Sequence, residues 1–173
     1  MKISILLPYK ENFSPSYPGA VSIFVNSMNR LSKYKNDITV FGSTEYKKKL
    51  SKNYVNINLS KKILSSNSKE YVKKFLEIKK NTHSDIIEVH NRPNYLSEIV
   101  NSLGKKNLVL YFHNDPLTMS GSKLITERKY LLKICYKIIF NSNWSKKRFL
   151  EGLENKFVNS NKLVVFFQSA KKN

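Results

Sequence analysis

The chain has 173 residues, about one domain at the usual ~150 residues per domain, which argues against a two-domain enzyme complete within it. A hydrophobic fraction of 40%, with 12% aromatic residues, is enough to bury a core and excludes a disordered tail. Lys and Arg number 31 against 12 Asp and Glu, a formal charge of +19, so the surface attracts polyanions: nucleic acid, anionic lipid or phosphorylated substrates.

Taken along the chain, short apolar runs alternate with amphipathic stretches. Ile3 to Leu7, stopped by Pro8, reads as a strand buried on both faces. A loop from Tyr9 to Tyr17 closes with Pro18-Gly19, and Ala20, Ile23, Phe24, Ser27, Met28 and Leu31 then recur at helical spacing. Ile38 to Phe41, ended by Gly42, is the second strand, and Tyr54 to Leu59 the third. Tyr71, Phe75, Leu76 and Ile78 mark the next helix. Asp85 to Val89 is a strand with the exit His90-Asn91-Arg92-Pro93, and Tyr95, Ile99 and Leu103 form a helix face ended by Gly104. Leu108 to Phe112 repeats the pattern, with a polar loop from His113-Asn114-Asp115-Pro116 to Gly121 and a helix from about Lys123 to Lys133. Lys137 to Phe140 is a strand, Asn141-Ser142-Asn143 caps a helix starting near Trp144, and Leu163 to Phe167 is a last strand. The Lys and Ser clusters at 47 to 52 and 60 to 69 read as solvated loops. Strict alternation predicts an α/β fold, a parallel sheet with helices on both faces.

The compartment follows from what is scarce. Cys135 is the single cysteine and sits in an apolar run, so it cannot form an internal disulfide and reads as a core residue of a protein in reducing cytoplasm. The first apolar run is too short for a signal sequence, and no stretch approaches the ~20 apolar residues of a membrane span. Only Arg30, Arg92, Arg128 and Arg148 carry the guanidinium fork that reads phosphates and guanine edges; the remaining cations are Lys. Abundant Lys, Asn and Ile also match the drift of an AT-rich coding sequence, which accounts for the charge without a nucleic-acid partner.

Ligands of an open parallel sheet bind beyond the carboxyl ends of the strands, where this sequence places Pro18-Gly19, His90-Asn91-Arg92, His113-Asn114-Asp115 and Asn141-Ser142. His90 and His113 each follow an apolar strand directly, which marks a shared site, whereas His83 precedes a strand and reads as exposed. Gly19 at a helix N-terminus offers free N–H groups to a phosphate. There is no G-x-G-x-x-G, no P-loop and no G-x-S-x-G elbow, and no short-range His or Cys pair supports a His90, His113, Asp115 metal set.

Lys2-Ile3-Ser4-Ile5-Leu6-Leu7-Pro8, Tyr17-Pro18-Gly19-Ala20-Val21, Asp85-Ile86-Ile87-Glu88-Val89-His90, Leu110-Tyr111-Phe112-His113 and Lys137-Ile138-Ile139-Phe140-Asn141-Ser142-Asn143-Trp144-Ser145-Lys146 occur in that order over nearly the whole chain. Together they resemble the N-terminal domain of glycosyltransferase family 4. The resemblance implies one Rossmann-like three-layer sandwich over residues 1 to 173, half of a GT-B fold. It also implies transfer of a sugar from a nucleotide-sugar donor to a glycan or lipid-linked acceptor, with retention and without a metal or other cofactor. The setting it implies is bacterial cell-surface polysaccharide or lipopolysaccharide biosynthesis, in the cytoplasm or on the inner face of the membrane. An anionic lipid surface would there give the Lys residues a use.

Carried over by position, Gly19, with Pro18 and Ala20 beside it, resembles the first-loop glycine near the donor diphosphate. His113 resembles the catalytic histidine at the transferred sugar. His90, Asn91 and Arg92, with Asn114 and Asp115, line the acceptor side, and Ser142 matches a serine at a strand exit. The family often has two adjacent glycines where Pro18 precedes one here. After the last strand the family continues into a nucleotide-holding domain with an acidic pair, whereas this sequence reads Gln168-Ser169-Ala170-Lys171-Lys172-Asn173. The expectation is a donor domain elsewhere in the same polypeptide and negligible activity of these residues alone. Two other readings stand beside it: a non-catalytic module binding a sugar or phosphorylated ligand, and a basic nucleic-acid-binding domain with steeply salt-dependent affinity.

Overall fold

A computed structural model describes residues 1–59, 66–104 and 107–168. Strands β1 (Ile3–Leu6), β2 (Ile38–Gly42), β3 (Tyr54–Asn56), β4 (Ile86–His90), β5 (Asn107–Phe112), β6 (Lys137–Phe140) and β7 (Leu163–Val165) form one sheet in the order β3-β2-β1-β4-β5-β6-β7. Every neighbouring pair is parallel. This is the Rossmann-like α/β sandwich that the alternation predicts. The chain winds outward from β1 to β3, then restarts at β4 on the other side of β1, so a crevice opens at the carboxyl ends of β1 and β4.

The helices are α1 (Ala20–Leu31), α2 (Asn67–Lys80), α3 (Tyr95–Leu103), α4 (Ile125–Ile134) and α5 (Asn143–Leu150). Local chemistry sets their ends. Ser66 and Ser142 cap α2 and α5 by accepting N–H groups of the first turn, and Gly104 ends α3 at φ 70°, a conformation other residues rarely adopt. Gly121 has φ 93°, and a Cβ there would lie 2.6 Å from the Asn94 backbone nitrogen, so only glycine lets the loop after β5 lie against the start of α3.

Alternation along the strands divides the core in two. Leu6, Ile87, Val89, Leu110, Phe112 and Phe140 face α2 to α5 in the larger cluster, whereas Ile5, Leu7, Ile38 and Val40 lie under Val21 and Val25 of α1 in the smaller one. Four helices therefore share one face and α1 alone covers the other, over β1 and β2. The rings of Phe112, Phe140 and Phe149 centre the larger cluster at 5.4 to 5.8 Å from one another, and truncating any of them to Ala should cost about 3–5 kcal/mol.

Several boundaries differ from the sequence reading. The face of α1 that packs is Val21, Ser22, Val25 and Asn29, whereas Ile23 and Leu31 are 51% and 83% exposed. Of the stripe that the spacing selected, Ala20, Ile23, Ser27 and Leu31 look outward while Phe24 and Met28 are half-buried, because α1 lies over only two strands. β3 stops at Asn56, and β7 at Val165; the Phe166 N–H makes the last ladder bond, to the Phe140 carbonyl at 2.8 Å, and the Phe167 ring is exposed. Residues 67 to 69, read as loop, open α2 behind the Ser66 cap, while 60 to 65 lie outside the described residues. Cys135 is buried at the end of α4, and burial pushes its thiol up to about 12. Among the described residues no helix is long and apolar enough to cross a membrane.

Candidate functional site

Strand geometry brings Glu88, His90 and His113 together. Glu88 and His90 are two apart on β4 and so share a face, and Tyr111 and His113 do the same at the end of β5, the neighbouring strand. That face is the one α1 leaves largely uncovered. Phe24 of α1 closes over the rings from above, 5.0 Å from Tyr111 and 5.1 Å from His113.

The main chain of His113 is held at both ends. Its N–H donates to Asn91 Oδ1 at 2.7 Å, and its carbonyl accepts from Asn141 Nδ2 at 2.6 Å. Asn91 makes its bond from φ 51°, a left-handed conformation that Asn tolerates better than most residues. Its own N–H donates to the Tyr111 carbonyl at 2.8 Å, which extends the β4–β5 ladder past the strand end. Asn141 is oriented in turn by Ser145, whose buried hydroxyl donates to Asn141 Oδ1 at 2.9 Å.

The ring of His113 is held equally firmly. Gln168 Nε2 donates to its Nδ1 at 2.6 Å, its Nε2 lies 2.7 Å from Nδ1 of His90, and Nε2 of His90 lies 2.6 Å from Glu88 Oε1. His90 is completely buried. Tyr111 stacks on both imidazoles, with ring centroids 4.4 Å from His113 and 5.3 Å from His90, and donates its hydroxyl to the Phe166 carbonyl at 3.2 Å. Burial pushes the Tyr111 phenol up to about 12, so it stays a donor. Burial, and then the neighbouring His90, lower the pKa of His113 to about 3, so its ring is an uncharged imidazole at neutral pH.

The other expected residues divide into those near this centre and those used elsewhere. Gly19 lies at the N-terminus of α1, one turn before Phe24, and the Glu11 carboxylate already rests there, accepting the Ser22 N–H at 2.9 Å. A Cβ on Gly19 would come within 2.0 Å of Glu11 Oε1, so glycine makes room for that carboxylate. Pro18 is half-buried and Ala20 exposed on the same turn. Arg92 folds back onto the Asn91 carbonyl at 2.7 Å. Asp115 accepts the Leu117 N–H at 3.0 Å and pairs with Arg148 of α5 at 3.1 Å, a latch between the loop after β5 and α5. Ser142 serves as the cap of α5, Asn114 lies exposed on the rim, and His83 pairs with Asp85 far from the site.

Sequence reasoning missed Glu88, Glu11, Gln168 and Phe24. The signal for Glu88 was its two-residue offset from His90 within a strand; the others reach the site from distant elements and leave no local signal. Among the described residues no group of three or more His, Cys, Asp or Glu side chains is arranged to hold a metal ion. The chain matches no protein-family model and no curated protein.

Proposed function

We propose that the chain is the acceptor-side domain of a retaining glycosyltransferase, which moves a sugar from a nucleotide-sugar donor to a glycan or lipid-linked acceptor. The observation that supports this best is the uncharged imidazole of His113, held rigidly at the crevice where a parallel sheet takes its ligands. A sugar presents hydroxyl groups in a fixed pattern, and a neutral ring with preset hydrogen bonds can orient them without reorganising. His113 orients the transferred sugar, and His90 and Asn91 act through it by holding its ring and its backbone. The donor nucleotide sits on a second domain of the polypeptide, and the acceptor enters past Asn114 and Arg92. The reaction belongs to surface polysaccharide or lipopolysaccharide assembly at the inner face of a bacterial membrane.

A second reading is favoured by one observation. The Glu11 carboxylate on α1 occupies the place a diphosphate would take, which fits a module that binds sugars without transferring them. The test is a titration of the 15N-labelled full polypeptide with free sugars and with nucleotide sugars, followed by NMR. The transferase reading expects nucleotide sugars to shift the backbone amides of His113, Asn91 and Ser22. Equal shifts from free sugars that spare Ser22 would favour the module, and no shift at the strand exits would remove both.

A further inference from the structure

We propose that Glu88, His90 and His113 form a proton relay, in which Nδ1 of His113 takes a proton from a ligand hydroxyl and the resulting charge comes to rest on His90 beside Glu88. Three links of 2.6, 2.7 and 2.6 Å run from Gln168 through His113 and His90 to Glu88. The inner end of the chain fixes its direction. The Glu88 carboxylate can only accept, so His90 carries its proton on Nε2, its Nδ1 accepts from His113 Nε2–H, and His113 Nδ1 carries a lone pair that the Gln168 amide meets with an N–H. Every donor then meets one acceptor, and the resting state is His113 neutral, His90 neutral and Glu88 ionised.

A relay explains how a poor base can serve. His113 charged on its own is strongly disfavoured by burial and by His90. A proton that arrives at Nδ1 need not stay as charge there. As the ligand O–H breaks and the His113 Nδ1–H bond forms, the His113 Nε2–H bond breaks and the His90 Nδ1–H bond forms. The ligand oxygen keeps the electron pair of its O–H bond, His113 ends neutral with its proton on the other nitrogen, and the imidazolium is His90. That cation lies 2.6 Å from the Glu88 carboxylate, an ion pair within a poorly solvated site. The reverse sequence returns the proton.

The surroundings suit this transfer. The groups against the two rings from β5, α1 and the exit of β7 are Tyr111, Phe24 and Gln168, with Phe166 behind Phe24, all uncharged at neutral pH, so Glu88 is the charge that sets where the proton rests. Gln168 is exposed and fits both states: with its amide turned over, its oxygen accepts from His113 Nδ1–H. A ligand hydroxyl reaches Nδ1 by displacing it. That the ligand hydroxyl belongs to the transferred sugar rests on the proposed function; the relay itself does not.

The experiment is 15N NMR of the histidine side chains in the unliganded chain, with exposed His83 as the internal reference. The relay predicts unprotonated Nδ1 on both rings at neutral pH; acid should add one proton that gives His90 two N–H groups and moves the His113 proton to Nδ1. In Glu88→Gln that uptake should need a pH lower by roughly one unit or more. Gln168→Glu, an exposed change that leaves the fold alone, should place a proton on His113 Nδ1 already at neutral pH. A wild-type His113 that becomes the imidazolium, a Glu88→Gln variant that titrates like the wild type, or a bare Nδ1 in Gln168→Glu would each overturn the relay. None of these measurements uses a sugar, so failure of the transferase reading shows separately in the ligand titration.

Discussion

Asn91 Oδ1 accepts the backbone N–H of His113 at 2.7 Å, so a residue at the exit of one strand fixes the main chain at the exit of the next. Asn91 does this from φ 51°, and two separate properties of Asn are in use, its amide and its tolerance of that backbone. Asn91→Gly removes the bond and keeps the backbone free, at about 1–2 kcal/mol. Asn91→Ala removes both and should cost about 1 kcal/mol more, seen as a lower midpoint in urea. Equal midpoints for the two variants would mean that the backbone conformation at Asn91 carries no cost.

The Glu11 carboxylate, reaching the first turn of α1 from the loop after β1, predicts a trade between stability and anion binding. Glu11→Ala should lose about 0.5–2 kcal/mol, because the helix N-terminus loses an anionic partner. Under the transferase reading it should also bind a nucleotide diphosphate more tightly, measured by calorimetry. Unchanged affinity would take the α1 N-terminus out of the donor site.

Cys135 should be chemically silent in the folded chain. Its thiol is buried and pushed up to about 12, so at pH 8 almost none is thiolate, the reactive form. Alkylating reagents should label it only after denaturation. Rapid labelling of the native chain at pH 8 would show that the end of α4 opens.

Exposed Tyr17 and Tyr46 lie 6.4 Å apart beside exposed Lys47 and Lys48, a pairing of amphipathic rings and cations suited to a lipid surface. Binding to vesicles should rise with anionic lipid and fall with salt, and Lys47→Glu with Lys48→Glu should weaken it roughly thirtyfold, at ~1 kcal/mol per cation. Binding indifferent to anionic lipid would remove the membrane from the list of partners.

The sheet was legible because buried parallel strands are nearly continuous apolar runs, as in Leu108 to Phe112, bounded by His, Pro or Gly. The packing face of α1 was not, since it buries Ser22 and Asn29 while the more apolar Ile23 and Leu31 stay outside. Spacing identifies a helix but cannot say how many strands lie beneath it. Within the site, His90 and His113 were visible as polar residues closing apolar strands. Glu88 was concealed in the same strand, because only the register with β5 shows that its face is the uncovered one. Asp115 looked like a site residue from its position, yet Arg148, 33 residues away, engages it. Glu11 and Gln168 depend on tertiary approach alone.

Whether His113 serves sugar transfer is decided by assaying the full polypeptide with a panel of nucleotide sugars and reading the anomeric configuration of the product by NMR, wild type beside His113→Ala. Retention is expected, with a fall in turnover of roughly two orders of magnitude or more in a variant that remains folded at the assay temperature. Inversion, absence of transfer from every donor, or near-normal turnover without the imidazole would contradict it.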